Sequence, residues 1–313
     1  MRAPFVFVVG KGRSGTTLVR AMLTAHPDMA IPPETHFIMR LAERPGVVRE
    51  GRVDVGVLAD RLKGHHGFAK MGLDHEDVRQ QLESSGPPSY ADAIRTIFGM
   101  YAASKQKPRY GDKTPGHVMH IPALAEMFPE GRFIHVIRDG RDVLLSNLET
   151  RFGSADVAEG ALVWRRVVAE GRRAGAELGA DRYCEVRYED LLDDPEGQVR
   201  RLADFSLLDF HGDMLRYFEL GSEIVGSAWH HRNLNLPPTK GMRDWRLEMP
   251  GHHVFAFERL AGDELDALGY ERSTEGASLS GWLELGSSWF AFQTRRSLNF
   301  TRRVRPKKQV SLR

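Results

Sequence analysis

The sequence predicts an α/β fold of three layers, a central parallel sheet flanked by helices, and three observations support this. A continuous β-branched and aromatic run, Phe5 to Val9, leads into a glycine-rich loop and then a helical stretch, Thr16 to Ala25. The same order of strand then helix returns at Arg132 to Thr150 and at Arg182 to Leu192. The composition is that of an ordinary globular chain, with 313 residues, 41% hydrophobic content and a net charge of +2. Strands that alternate with helices build parallel sheets, because a parallel pair needs a crossover and a helix is its usual form.

Taken in order, Phe5 to Val9 lacks the polar alternation of a half-exposed strand, which fits a strand buried on both faces. Thr16 to Ala25 is closed by His26-Pro27, since the residue before proline is driven out of the helical region. Mostly helical sequence follows, notably Tyr90 to Ser104 and Val118 to Phe128, long enough to carry a substrate-facing subregion. Arg132 to Ile137 is the second strand, with a helix from about Asp139 to Thr150. Arg182 to Arg187 is the third and runs into Tyr188 to Leu192. Pro237-Pro238 and the Gly241 neighbourhood suggest an ordered loop. Residues 1–275 are read as one domain and 276–313 as a basic, aromatic appendage.

Charge and cysteine usage exclude several classes. After Glu284 there is no acidic residue, while Arg295, Arg296, Arg302, Arg303, Arg305, Lys307, Lys308 and Arg313 supply eight positive charges. The rest of the chain is therefore net negative, and a globally basic nucleic-acid binder is not expected. Cys184 has no partner, which rules out an intrachain disulfide framework or a cysteine-rich zinc site and suits a reducing compartment. Phe5 to Val9 is far shorter than the ~20 residues of a transmembrane helix and is short for a signal-peptide core, so a cytoplasmic protein is expected.

Gly10-Lys-Gly-Arg-Ser-Gly-Thr-Thr17 follows the first strand and opens the first helix, which is the setting a phosphate loop requires. Glycines let the backbone turn N–H groups toward an anion, and the helix N-terminus adds its positive dipole end. The spacing is P-loop-like, but Thr16 stands where a nucleotide triphosphatase needs lysine, so a kinase or other phosphoryl transferase is only the rival reading.

Gly12-Arg-Ser-Gly-Thr-Thr17 resembles the 5′-phosphosulfate loop of sulfotransferases that use 3′-phosphoadenosine 5′-phosphosulfate (PAPS). In motif style the likeness is nearest to bacterial and to tyrosylprotein or carbohydrate-type members. It implies that Lys11, Gly12, Arg13, Ser14, Gly15, Thr16 and Thr17 hold the donor's 5′ end. Ile137-Arg138 through Ser146 resembles the 3′-phosphate segment, implying Arg138 and Ser146 as its ligands. Val186-Arg-Tyr188 through Pro195 is similar to the segment whose tyrosine neighbours the adenine, and Thr239-Lys240-Gly241 to the loop that closes over the 3′-phosphate. In that last segment Thr239 replaces the usual basic residue. The resemblance reaches from residue 10 to about residue 245 and implies PAPS as donor with no metal.

The same likeness implies a division of labour. Lys113, in Gly111-Asp-Lys113-Thr-Pro115, resembles the lysine that contacts the transferring group, with Arg13 sharing the charge. Glu34, in Ile31-Pro-Pro-Glu34-Thr-His36, resembles the glutamate base of tyrosylprotein sulfotransferases; His117 is the second choice. The expected acceptor is a small molecule, lipid or glycan bearing a hydroxyl or amine, held by residues 36–104 and by the segment around Ser222 to Leu236. The histidine pairs at 65, 230 and 252 lack a carboxylate pattern for a metal. Trp282, Trp289, Phe290, Phe292 and Phe300 in the appendage are read as docking on the domain, with the basic end solvated. Contact with an anionic membrane surface is the alternative. A non-catalytic nucleotide-binding or membrane-surface module is the non-enzymatic rival.

Overall fold

The computed structural model describes residues 2–86, 89–148, 156–220, 236–237, 244–273 and 278–304. Residues 1–138 with 167–240 form one compact unit, and residues 139–166 with 241–313 form a second.

The first unit is built on a five-stranded sheet of β1 (Val6–Gly10), β2 (Met29–Ala30), β5 (Arg109–Lys113), β6 (Arg132–Ile137) and β7 (Tyr183–Arg187). A short antiparallel pair, β3 (Val48–Arg49) and β4 (Arg52–Val53), lies apart from it. The sheet order is β2-β5-β1-β6-β7, and every pairing is parallel. β1 is central and fully buried, which is why its sequence shows no alternation. Phe5, Phe7 and Val9 face one apolar cluster, with Phe98 and Phe128. Val6 and Val8 face the other, with Leu23, Val199 and Leu202. Two cores on two faces of one sheet are the three layers expected from the sequence.

The helices of this unit follow local chemistry. α1 (Thr16–Ala25) starts at Gly15 and stops at His26, whose extended backbone (φ −61°, ψ 135°) is what Pro27 imposes. α2 (Phe37–Ala42), α3 (Val55–Lys63), α4 (His66–Ala69) and α5 (His75–Ser84) fill the stretch before α6 (Tyr90–Ser104). Asp54, Asp74 and Ser89 cap α3, α5 and α6 by accepting from first-turn amides. The predicted helix over 118–128 is instead a 3₁₀ turn, Pro115–His120, followed by α7 (Ile121–Met127). Pro122 explains the break: it has no N–H to continue a helix from the preceding turn but is well placed in a new first turn.

α8 (Gly140–Leu148) belongs to the second unit, as does the start of α9 (Val157–Leu178); α9 from residue 167 onward belongs to the first. α10 (Tyr188–Asp193) and α11 (Pro195–Phe205) complete the first unit's regular helices. The second unit also contains α12 (Trp245–Glu248), α13 (Gly251–Ala267) and α14 (Leu279–Val304). Within it Gly140 abuts Trp164 and Phe257, where a β-carbon would lie 2.5 Å from each ring. Arg141 is fully buried. It is paired with Asp139 (2.7 Å) and Glu258 (2.6 Å) and stacked 3.5 Å from the Trp245 ring centroid.

His135, in the middle of β6, is completely buried with Nδ1 2.7 Å from the Tyr183 hydroxyl. Burial, reinforced by Arg172, pushes its pKa down to about 3. The unfolded chain therefore binds more protons than the folded one between about pH 6.5 and 3. Stability is fully present above that window and falls by roughly 1.4 kcal/mol per pH unit as pH drops through it. Urea unfolding across this range should lose stability more steeply in the parent than in His135→Gln, by about that slope.

Candidate active site

The strand register brings the glycine loop, Lys113, Arg138 and Tyr188 to one edge. Gly10 pairs with Val136, Lys113 with Val8 and Ile137 with Arg187. The carboxyl ends of β1, β5, β6 and β7 are thus level, and Arg138 and Tyr188 emerge immediately beyond two of them. That edge is where open parallel sheets present ligand sites.

At the end of β1 the loop turns through Arg13 (φ 75°) and Gly15 (φ 96°), both left-handed. Ser14 N–H closes the turn on the Lys11 carbonyl at 3.1 Å. Gly15 lies against Tyr188, and a β-carbon there would sit 2.4 Å from Cδ2 of that ring. The Arg138 guanidinium stacks 4.6 Å from the centroid of the same ring. Ser14 is buried, and its hydroxyl has no hydrogen-bond partner among the described residues. The first amides of α1, at Thr16 and Thr17, lack intrahelical acceptors by construction. Thr16 is buried and Thr17 half-buried.

The second element of the site is an ion pair. Lys113 Nζ donates to Glu34 Oε1 at 2.6 Å and lies 3.3 Å from Thr17 Oγ1, so one ammonium links the end of β5, the loop after β2 and the first turn of α1. Lys113 is 2% exposed and is not the surface lysine paired with Asp112 that its neighbours in sequence suggest. Burial lowers its pKa from the ordinary lysine range, and the Glu34 carboxylate opposes that shift. Burial alone would raise the Glu34 carboxyl. The hydrogen bond from His36 (Nε2 to Oε2, 3.0 Å) and the Lys113 ammonium outweigh it and hold Glu34 well below the usual carboxylate range.

A buried scaffold fixes the Glu34 loop. Arg20 Nε, from α1, donates to the Ile31 carbonyl at 2.9 Å. Thr35 and Thr114 both donate to Asp112 Oδ1, at 2.7 and 3.3 Å, and Asp112 is itself fully buried. Gly67 approaches the Thr35 carbonyl so closely that a β-carbon would lie 1.7 Å from its oxygen. The sequence reading did not single out Arg20, Thr35, His36, Gly67 or Asp112. Thr35 and Asp112 are 77 residues apart in the chain, so no local pattern announces them.

His117, the alternative base, is buried with Nδ1 3.0 Å from Asp112 Oδ2. Ser146 is buried on α8, in the second unit. Gly12 and Lys11 are half-buried in the loop. Lys240 and Gly241, with nearly all of 222–236, lie outside the described residues. In the second unit His253 Nε2 lies 3.8 Å from Glu284 Oε1, a carboxylate partner that the sequence spacing around 252 does not reveal.

Comparison with known proteins supplies the family and the fold. Residues 4–212 match the model of the sulfotransferase family. Protein-tyrosine sulfotransferase 1 of Danio rerio is 30% identical over 231 residues, covering 72% of this chain and 58% of that protein. The protein-tyrosine sulfotransferase of Drosophila melanogaster is 26% identical over 282 residues, covering 86% of this chain and 52% of its own. The chain thus spans little more than half the length of these relatives. Among solved structures, the sulfotransferase domain of the curacin biosynthetic pathway superposes with a TM-score of 0.57 at 20% identity, covering 87% of this chain and all of that one. The sulfotransferase domain of the Synechococcus PCC 7002 olefin synthase gives 0.52 at 22% identity, covering 91% and 94%. These two share the fold, a central parallel sheet flanked by helices. With a glycine loop at the end of the central strand and the family match running through it, the chain belongs to the sulfotransferase family.

Proposed function

We propose that the protein transfers a sulfuryl group from PAPS to the hydroxyl of a protein tyrosine, releasing adenosine 3′,5′-bisphosphate. The observation that carries this reading is the Glu34–Lys113 pair, 2.6 Å apart beside the first turn of the glycine-loop helix. The relatives that match this chain are named as protein-tyrosine sulfotransferases, which favours a phenolic acceptor over the lipid, glycan or small molecule expected from sequence.

The residues fit an anionic donor. A buried Ser14 hydroxyl without a partner among the described residues and the first amides of α1 call for an anionic acceptor, and the buried Lys113 adds positive charge beside them. Lys11, Arg13, Ser14, Gly15, Thr16 and Thr17 would hold the 5′ end, and Arg138 with Tyr188 would face the nucleoside portion. PAPS supplies an electrophilic sulfur whose bond to the phosphate oxygen breaks as a bond to the acceptor oxygen forms. Glu34 takes the acceptor proton, and Lys113 with Arg13 stabilises the charge that grows on the departing oxygen. The ion pair couples these tasks. While the ammonium serves Glu34, the carboxylate is a weak base; as its attraction passes to the leaving oxygen, Glu34 gains proton affinity.

The test is transfer from ³⁵S-labelled PAPS to tyrosine peptides, beside hydroxylated lipids, glycans and small phenols. Labelled peptide supports the reading. Label only in another acceptor overturns the tyrosine assignment, and no label anywhere with intact bisphosphate binding overturns the enzyme assignment. Gly15→Ala should weaken adenosine 3′,5′-bisphosphate binding by at least about tenfold in calorimetry, because a β-carbon meets Tyr188 and the left-handed backbone is strained.

A further inference from the structure

α14 presents an exposed apolar stripe. Leu279, Leu283 and Phe290 are 78, 65 and 74% exposed, and Trp282 and Trp289 are 50 and 42% exposed. Spacings of three, four and seven residues place these five side chains on one face of a helix, about 16 Å long from Leu279 to Phe290. The opposite face carries the packing. Gly281 and Ser288 are buried there, and a β-carbon on Gly281 would lie 2.6 Å from Phe255 of α13. Trp282 is held at the boundary, edge-on to Phe255 at 5.2 Å with the Arg259 guanidinium 5.6 Å over its ring. The expected docking of the tail aromatics therefore holds for one side of Trp282, while Leu279, Leu283 and Phe290 face away.

We propose that α14 is a membrane-surface helix that lies in the plane of an anionic phospholipid bilayer. An apolar stripe flanked by tryptophans, followed by a cation-rich and acid-free segment, is the pattern of a helix that seats its apolar face at the acyl boundary and its cations among headgroups. From residue 285 to the end the sequence has eight positive charges and no negative ones. No described helix is long and apolar enough to cross a membrane, which fits lying on the surface. Covering the stripe takes only an apolar surface, whereas seating the cations beside it takes a dense array of negative charge as well. A bilayer of acidic lipid satisfies both.

The experiment is sedimentation of the full-length chain with vesicles of phosphatidylcholine plus phosphatidylglycerol and with vesicles of phosphatidylcholine alone. Binding to the acidic vesicles should be at least about tenfold stronger and should weaken as salt is raised. Leu283→Glu/Phe290→Glu should cost about tenfold or more, and Arg302→Gln/Arg303→Gln/Arg305→Gln should remove the preference for acidic lipid. Unchanged bisphosphate binding shows that each variant is folded and keeps this outcome separate from the donor-site reading. Equal sedimentation of parent and Leu283→Glu/Phe290→Glu overturns the proposal. So does a parent that ignores both vesicles, including one that forms a dimer which the same substitutions dissociate, since that assigns the stripe to a second copy.

Discussion

Glu34→Gln lowers kcat for sulfuryl transfer by about 10²- to 10⁴-fold, with the KM for PAPS little changed. Glutamine keeps the size and the oxygen that Lys113 reaches at 2.6 Å, so the loop scaffold through Thr35 and Asp112 stays intact. What is lost is the negative charge, and with it acceptance of a proton. The pH profile separates this from a structural effect. In the parent the acid limb of kcat/KM lies below the usual carboxylate range, because His36 and Lys113 hold the free-enzyme Glu34 ionised. In Glu34→Gln that limb disappears and the residual rate is flat in acid. The same depressed pKa makes Glu34 a stabilising group at neutral pH: its contribution is present above the ordinary carboxylate pKa and is lost as pH falls through the lower folded value. Retained activity in a folded Glu34→Gln protein, with the acid limb in place, would assign the base elsewhere, His117 first.

The parts of this site that the sequence reveals are the ones built from neighbouring residues. The glycine loop and the helix Thr16–Ala25 are legible to the residue, because strand, left-handed glycine and Pro27 stop signal are contiguous. β5 is not. Arg109-Tyr-Gly-Asp-Lys113 has one aromatic residue, a glycine and three charged residues, a poor strand by propensity, and it becomes a strand because β1 and β2 pair with it on either side. That strand levels Lys113 with the loop, so the feature that organises the chemistry is the one the local pattern hides. Arg141 shows the same limit in the second unit. Beside two aspartates it looks like a surface residue, yet Glu258, 117 positions later, allows it to be buried as part of a satisfied ion-pair cluster. Motif order finds the loop and the two residues at its side; the register and the buried Thr35–Asp112 contact decide how they meet.

Lys113→Ala should lower kcat/KM by about 10²- to 10³-fold, the loss expected when a preorganised charge stabiliser is removed from a water-poor site. Its second effect distinguishes it from an ordinary phosphate-binding lysine. Without the ammonium, burial pushes the Glu34 carboxyl upward with less to resist it than His36 and Lys113 together supply, so the acid limb of kcat/KM moves up toward the usual carboxylate range. Lys113→Arg should not restore the rate. The lysine occupies a slot with 2% exposure between Glu34 and Thr17, and a planar guanidinium cannot place one donor toward each without displacing the loop. The double variant Glu34→Gln/Lys113→Ala should be little slower than the worse single variant, because each single change already disables a pair that works as a unit. Losses that add in full would show that base and cation act independently, and a Lys113→Ala acid limb that stays in place would show that the ammonium does not set the basicity of Glu34.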